Sequence, residues 1–230
     1  MKIGIISAVE NELAPIVELI EGKSVSYKAR LEIHEGKIEG VDVAAVVCGV
    51  CKVNAALAAQ VLVDSYGADI VINAGTAGGM DPVLGLFDTV ICTEVGYHDV
   101  DFAFLRDYHP HFDTPFFVTD PKLIKLAESV AAKISTGGKI HFGRMMTGEA
   151  FITDEGRPQI NERYAPLSVD METGAIAHVC KLYDVPFVSV RSITDTADHS
   201  GVGTFEENCK KASLVSAQVI AAMLRELNEQ

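Results

Sequence analysis

Six short runs rich in β-branched and other apolar residues alternate with stretches of helical pattern. This alternation restricts the possible folds more than any other feature of the chain. The runs are Lys2–Ala8, Val41–Cys48, Ile70–Asn73, Thr89–Glu94, Lys139–Met146 and Pro186–Val190. None shows the strict apolar–polar alternation of a half-solvated strand, so each suits a strand covered on both faces. Between them lie an amphipathic helix over Asn11–Ile20 and an Ala-rich helix over Val53–Ser65. Further helices cover Pro121–Ile134, with Asp120 as N-cap, and Thr173–Tyr183. A long closing helix covers Glu206–Leu227. Such alternation predicts an α/β fold. No linker, repeat or low-complexity segment divides the 230 residues, so residues 1–230 are expected to form one domain.

In α/β folds the chemistry sits where strands end. Three carboxylates occupy such positions here: Glu12 after the first strand, and Glu172 and Asp195 within Ser168–Asp198. Three acids at three strand ends suggest one site working by proton transfer and charge stabilisation. Each also has a plainer reading, as a first-turn or helix-start acid or a turn residue. The segment Asn73–Gly79, NAGTAGG, follows a strand run and reads as a glycine-rich turn. It is neither a dinucleotide fingerprint nor a phosphate loop, since it lacks the G-x-G-x-x-G spacing and the lysine. It is either a tight strand exit or a pocket wall in which Thr76 and the amides around Gly78 meet a neutral sugar.

The formal net charge of −13 argues against nucleic-acid binding, which needs a basic footprint. No apolar stretch approaches the roughly 20 residues of a membrane helix. Met1-Lys2-Ile3-Gly4 leads directly into a strand pattern without a signal-peptide layout, so a cytoplasmic protein is expected. Of five cysteines, Cys48 and Cys51 form a lone C-x-x-C. One pair cannot make a four-cysteine zinc site, and pocket-lining packing is favoured over a redox role. Tyr97–Pro115 shows no clean period and reads as a long loop or lid holding His98, Asp99, Asp101, His109 and His111. Their spacing matches no standard metal pattern, so no metal is expected.

Six segments carry a resemblance in their order and spacing: MKIGIISAVENE, GVCKVNAALAA, NAGTAGG, TGEAFI (Thr147–Ile152), VDMETGAIAHVC and VRSITDTAD. Together the chain resembles the bacterial 5′-methylthioadenosine/S-adenosylhomocysteine nucleosidases of the nucleoside phosphorylase and nucleosidase superfamily. The resemblance implies a central, mixed, partly barrel-like sheet flanked by helices. It also implies a homodimer, an adenine nucleoside as substrate, water as nucleophile and no cofactor. The residues add a physical reason to prefer water to phosphate. The turn Ala8-Val9-Glu10-Asn11-Glu12 carries no Arg or Lys, so an anionic nucleophile would meet acids there.

By the same resemblance, Asp195 protonates N7 of adenine, Glu12 activates water and Glu172 grips the ribose hydroxyls. Thr194 and Ala197 flank Asp195 and would fix its geometry. Phe151 would stack on the purine, the backbone of Ile152 would read its edge, and Met171 would lie under the ribose. Val50, Phe102, Phe104 and Phe205 would form the apolar pocket for the 5′ group. Arg191 would either pair with an acid to orient the site or serve structure alone, and Asp170 would support structure. Val9, Cys51, Asp170 and Gly174 depart from the residues common in the family (Met, Gly, Glu and Ala). The alternatives are a phosphate-dependent purine nucleoside phosphorylase and an aminofutalosine nucleosidase.

Overall fold

The computed structural model describes residues 1–108, 112, 114–199 and 201–229. His109 and His111 lie outside the described residues, as does the side chain of Phe102.

The chain begins with β1 (Lys2–Ser7), α1 (Glu10–Leu19), β2 (Glu21–Lys28), β3 (Leu31–Ile38), β4 (Val41–Val47), α2 (Lys52–Tyr66), β5 (Ile70–Gly79) and β6 (Thr89–Tyr97). It continues through α3 (Phe102–Tyr108), β7 (Phe117–Val118), α4 (Pro121–Ala131), β8 (Ile140–Thr147), α5 (Arg157–Tyr164) and β9 (Ser168–Asp170). It ends with α6 (Thr173–Leu182), β10 (Phe187–Asp195) and α7 (Val202–Asn228). The expected α/β fold with a mixed, partly barrel-like sheet is the observed one. Strands β5, β10, β6, β8 and β9 pair in a closed ring, and β1, β4, β3 and β2 extend from β5 as an open wing. Within the ring β10 runs parallel to β5 and antiparallel to β6. Closure removes the ring's exposed edges.

Both faces of the sheet are covered, which explains the unbroken apolar runs. One core cluster joins the sheet to α2 and α6 through Ala58, Leu62, Ile176 and Cys180. The other joins it to α1, α4 and α7 through Ile16, Leu126, Ile220 and Met223. Asp120 caps α4 as expected, accepting from the backbone N–H groups of Lys122 and Leu123.

Three differences from the sequence reading affect the site. The NAGTAGG segment is not a turn: β5 runs straight through it to Gly79, because β10 stays paired with it from Phe187 to Asp195. The stretch after Tyr97 is not entirely loop, since α3 forms there. Residues 21–38, given no element by the periodicity, form the β2–β3 hairpin at the end of the wing.

Candidate active site

One cavity of about 170 Å³ gathers nearly all the residues singled out in the sequence. Glu12, Val50, Thr76, Gly78, Phe151, Ile152, Met171, Glu172, Thr194, Asp195 and Phe205 all line it. Ala197 and Phe104 do not. Ala197 lies just past β10 and is exposed. Phe104 is 64% exposed on α3 and packs against Tyr108, with ring centroids 5.0 Å apart.

Glu12 sits in the first turn of α1, and its carboxyl is buried. One oxygen accepts from the backbone N–H and the hydroxyl of Thr76, at 2.8 and 2.7 Å. The other accepts from the N–H groups of Ala8 and Val9, at 2.9 and 3.3 Å. Four donors and no acceptor match the hydrogen-bonding capacity of a carboxylate. Close approach requires Gly75: a Cβ there would lie 2.6 Å from the Glu12 carboxyl, and its φ of +146° suits glycine.

Glu172 is the N-cap residue of α6. Its Oε1 accepts from the Cys51 backbone N–H at 3.0 Å, and its Oε2 from Arg191 at 3.0 Å. The same Arg191 nitrogen lies 3.1 Å from Asp170, and its neighbour donates to Asn73. Burial pushes the Glu172 carboxyl up to about 7, opposed by Arg191 and reinforced by Asp170. Asp170 also accepts from the Thr147 hydroxyl at 2.6 Å and from the N–H and hydroxyl of Thr173. It thereby ties β8, the start of α6 and β10 together.

Asp195 ends β10 and is 1% exposed. Its Oδ1 accepts from the Thr194 hydroxyl and its Oδ2 from Arg157, each at 2.9 Å. Burial raises its carboxyl above the ordinary range, against the pull of Thr194 and Arg157. The two acids are anchored close together on β5. Thr76 holds Glu12, and Gly78, two residues on, faces Asp195. Residues so spaced lie on the same side of a strand, about 7 Å apart.

Phe151 and Ile152 lie between β8 and α5, where Phe151 remains 36% exposed. Its ring meets Phe205 of α7 edge-on, with centroids 6.2 Å apart. Cys51 contributes its backbone N–H to Glu172, while burial raises both the Cys48 and Cys51 thiols. Of the acids expected in the loop, Asp99 binds Lys52 at 2.9 Å and the Glu149 N–H at 2.9 Å. No cluster suited to a metal occurs among the described residues.

The sequence model of the Phosphorylase superfamily matches residues 2–225. A 5′-methylthioadenosine/S-adenosylhomocysteine nucleosidase from Anoxybacillus flavithermus is 36% identical, with all of each chain covered. The chain belongs to this nucleosidase family. A solved nucleosidase of the family from Colwellia psychrerythraea, in complex with adenine, superposes with a TM-score of 0.90 at 33% identity. That match covers 99% of this chain and 96% of the other. A futalosine hydrolase from Helicobacter pylori superposes with a TM-score of 0.88 at 25% identity, covering 98% of each chain.

Sequence reasoning did not single out Arg157, which donates to the cavity-lining Asp195. Arg157 opens α5 in a strongly polar stretch, TDEGRPQINERY, and is 4% exposed. The available signal was Gly156 with Pro158 two residues on, a helix-start pattern that places Arg157 at a helix N-terminus. Arg191 pairs with two acids, Glu172 and Asp170.

Proposed function

We propose that the enzyme hydrolyses the N-ribosidic bond of 5′-methylthioadenosine, S-adenosylhomocysteine and related 5′-substituted adenosines, releasing adenine. One observation carries this reading: of the four buried carboxylates lining one cavity, Asp170 is tied into the framework, while Glu12, Glu172 and Asp195 stand in three different environments. Asp195, raised by burial, suits a proton donor to N7 of the purine. Glu12, held by four donors, suits the acceptor of a proton from water. Glu172, on Arg191, suits a grip on the ribose hydroxyls and favours positive charge on the sugar. As the C–N bond breaks, its electron pair passes to the purine and Asp195 gives N7 a proton. Water then adds to the anomeric carbon and loses a proton to Glu12.

Water is favoured over phosphate by the charges in the cavity. Among the described lining residues the cation is Arg191, already committed to Glu172 and Asp170. An incoming phosphate would meet Glu12 without a free cation to offset the repulsion. Phe151 stacks on the base, Ile152 reads its edge, Met171 lies under the ribose, and Val50 and Phe205 take the 5′ group. The enzyme acts as a cytoplasmic homodimer in methionine salvage and the activated methyl cycle. The test is adenine release from methylthioadenosine with and without phosphate. Equal rates support hydrolysis, and strict phosphate dependence overturns it. Comparing rates on aminofutalosine and methylthioadenosine decides between the two nucleosidase readings.

A further inference from the structure

We propose that Arg157 is a positioning residue that fixes the Asp195 carboxyl and governs how readily it releases its proton. The inference rests on Asp195 being the proton donor. The guanidinium is buried and held at several points. One terminal nitrogen donates to the Gly79 carbonyl and approaches the Met80 sulfur at 3.7 Å. The other donates to Asp195 Oδ2 at 2.9 Å, and Nε lies 3.7 Å from Asp154. This fork leaves Asp195 little rotational freedom, since Thr194 holds the second oxygen.

Arg157 is the charged side chain facing Asp195 among the described residues. From β5 it meets Gly78, beside which lies Val169 of β9. From α7 comes Asn208, which donates to the Thr194 carbonyl. None of these ionises. A buried carboxyl without a cation keeps its proton too firmly to pass it on. A cation at 2.9 Å works against burial, so the acid is both protonated in use and willing to donate. When the Asp195 O–H bond breaks and the N7–H bond forms, the carboxylate left behind is paired with Arg157. Tight association of opposite charges in a buried site favours that outcome.

The experiment compares wild type, Arg157→Met and Arg157→Lys for kcat/KM on methylthioadenosine between about pH 5 and 10. Activity requiring protonated Asp195 falls on the alkaline side. Removing the cation should move that limb upward by about 1–3 pH units while lowering the plateau. Arg157→Lys, which keeps the charge, should hold the limb near its wild-type position. A uniform loss at every pH, with the limb unmoved, overturns the inference. Carboxyl-carbon NMR of Asp195 in the unliganded protein follows the same ionisation without turnover: an unshifted midpoint in Arg157→Met also overturns it. Asp195→Asn separates the two levels, because near-normal turnover there would refute the donor role itself.

Discussion

Thr76 gives both its backbone N–H and its hydroxyl to a single oxygen of Glu12, at 2.8 and 2.7 Å. The contact joins β5 to the first turn of α1 and sets where that carboxylate faces the cavity. A hydrogen bond to a charged group contributes about 1.5–3 kcal/mol. Thr76→Val should therefore lower kcat roughly 10–100-fold, at about 1.4 kcal/mol per tenfold. Thr76→Ser keeps the hydroxyl and should stay within a few-fold of wild type. Equal losses in both variants would show that the hydroxyl is not what matters.

Gly75 protects the same carboxylate from the other side. A methyl at this position would sit 2.6 Å from the Glu12 carboxyl, and the backbone φ of +146° is strained for alanine. Gly75→Ala should displace Glu12 and remove most of a general base's contribution, roughly 10²–10⁴-fold in kcat. Nucleoside affinity, measured by calorimetry with an uncleavable analogue, should change much less. An active Gly75→Ala enzyme would mean that Glu12 is not placed by this packing.

The acids were legible because each follows an apolar run, and such runs mark buried strands whatever their partners. Ring closure was not legible from periodicity, because it depends on β10 pairing with both β5 and β6. Nor was the β2–β3 hairpin: β2 is exposed along nearly its whole length, so burial left no pattern in its sequence. Phe104 was misplaced for a related reason. The resemblance implies a pocket position, but α3 turns that side chain outward. Arg157 was lost because its value is a pairing 38 residues away in sequence, with Asp195.

Asp170 is expected to serve stability first. It accepts from Thr147 and Thr173 and pairs with Arg191, all in the interior. Removing one partner of a buried ion pair costs about 3–5 kcal/mol. Arg191 retains Glu172, which favours the lower end. At about 2–4 °C per kcal/mol for a chain of this size, Asp170→Asn should lower Tm by roughly 6–20 °C. A thermal melt within a degree or two of wild type would show that the Asp170–Arg191 pair contributes little.

Glu172 makes stability depend on pH in a defined direction. Its folded-state value of about 7 lies above the ordinary 4.5. Between those values the folded protein binds more protons than the unfolded chain, so stability falls as pH rises through this window. The contribution is fully present below the unfolded value and lost above the folded one. Asp195, also raised, acts in the same direction, so the informative quantity is a difference between proteins. Tm measured across the window should decline less steeply in Glu172→Gln than in wild type. Parallel profiles would remove Glu172 as a source of the effect.

Phe151 gives the most direct test of base recognition. Its ring is 36% exposed in the cavity wall and braced edge-on by Phe205. Stacking of a base on an aromatic ring is worth about 1–3 kcal/mol. Phe151→Ala should therefore weaken nucleoside binding roughly 5–150-fold, at about 1.4 kcal/mol per tenfold. Phe151→Tyr keeps the π-face and should bind nearly as well as wild type. Because the ring touches neither Glu12 nor Asp195 in the contacts above, the loss should fall on KM more than on kcat. A fall in kcat at unchanged KM would place Phe151 in the proton-transfer geometry and away from the purine face.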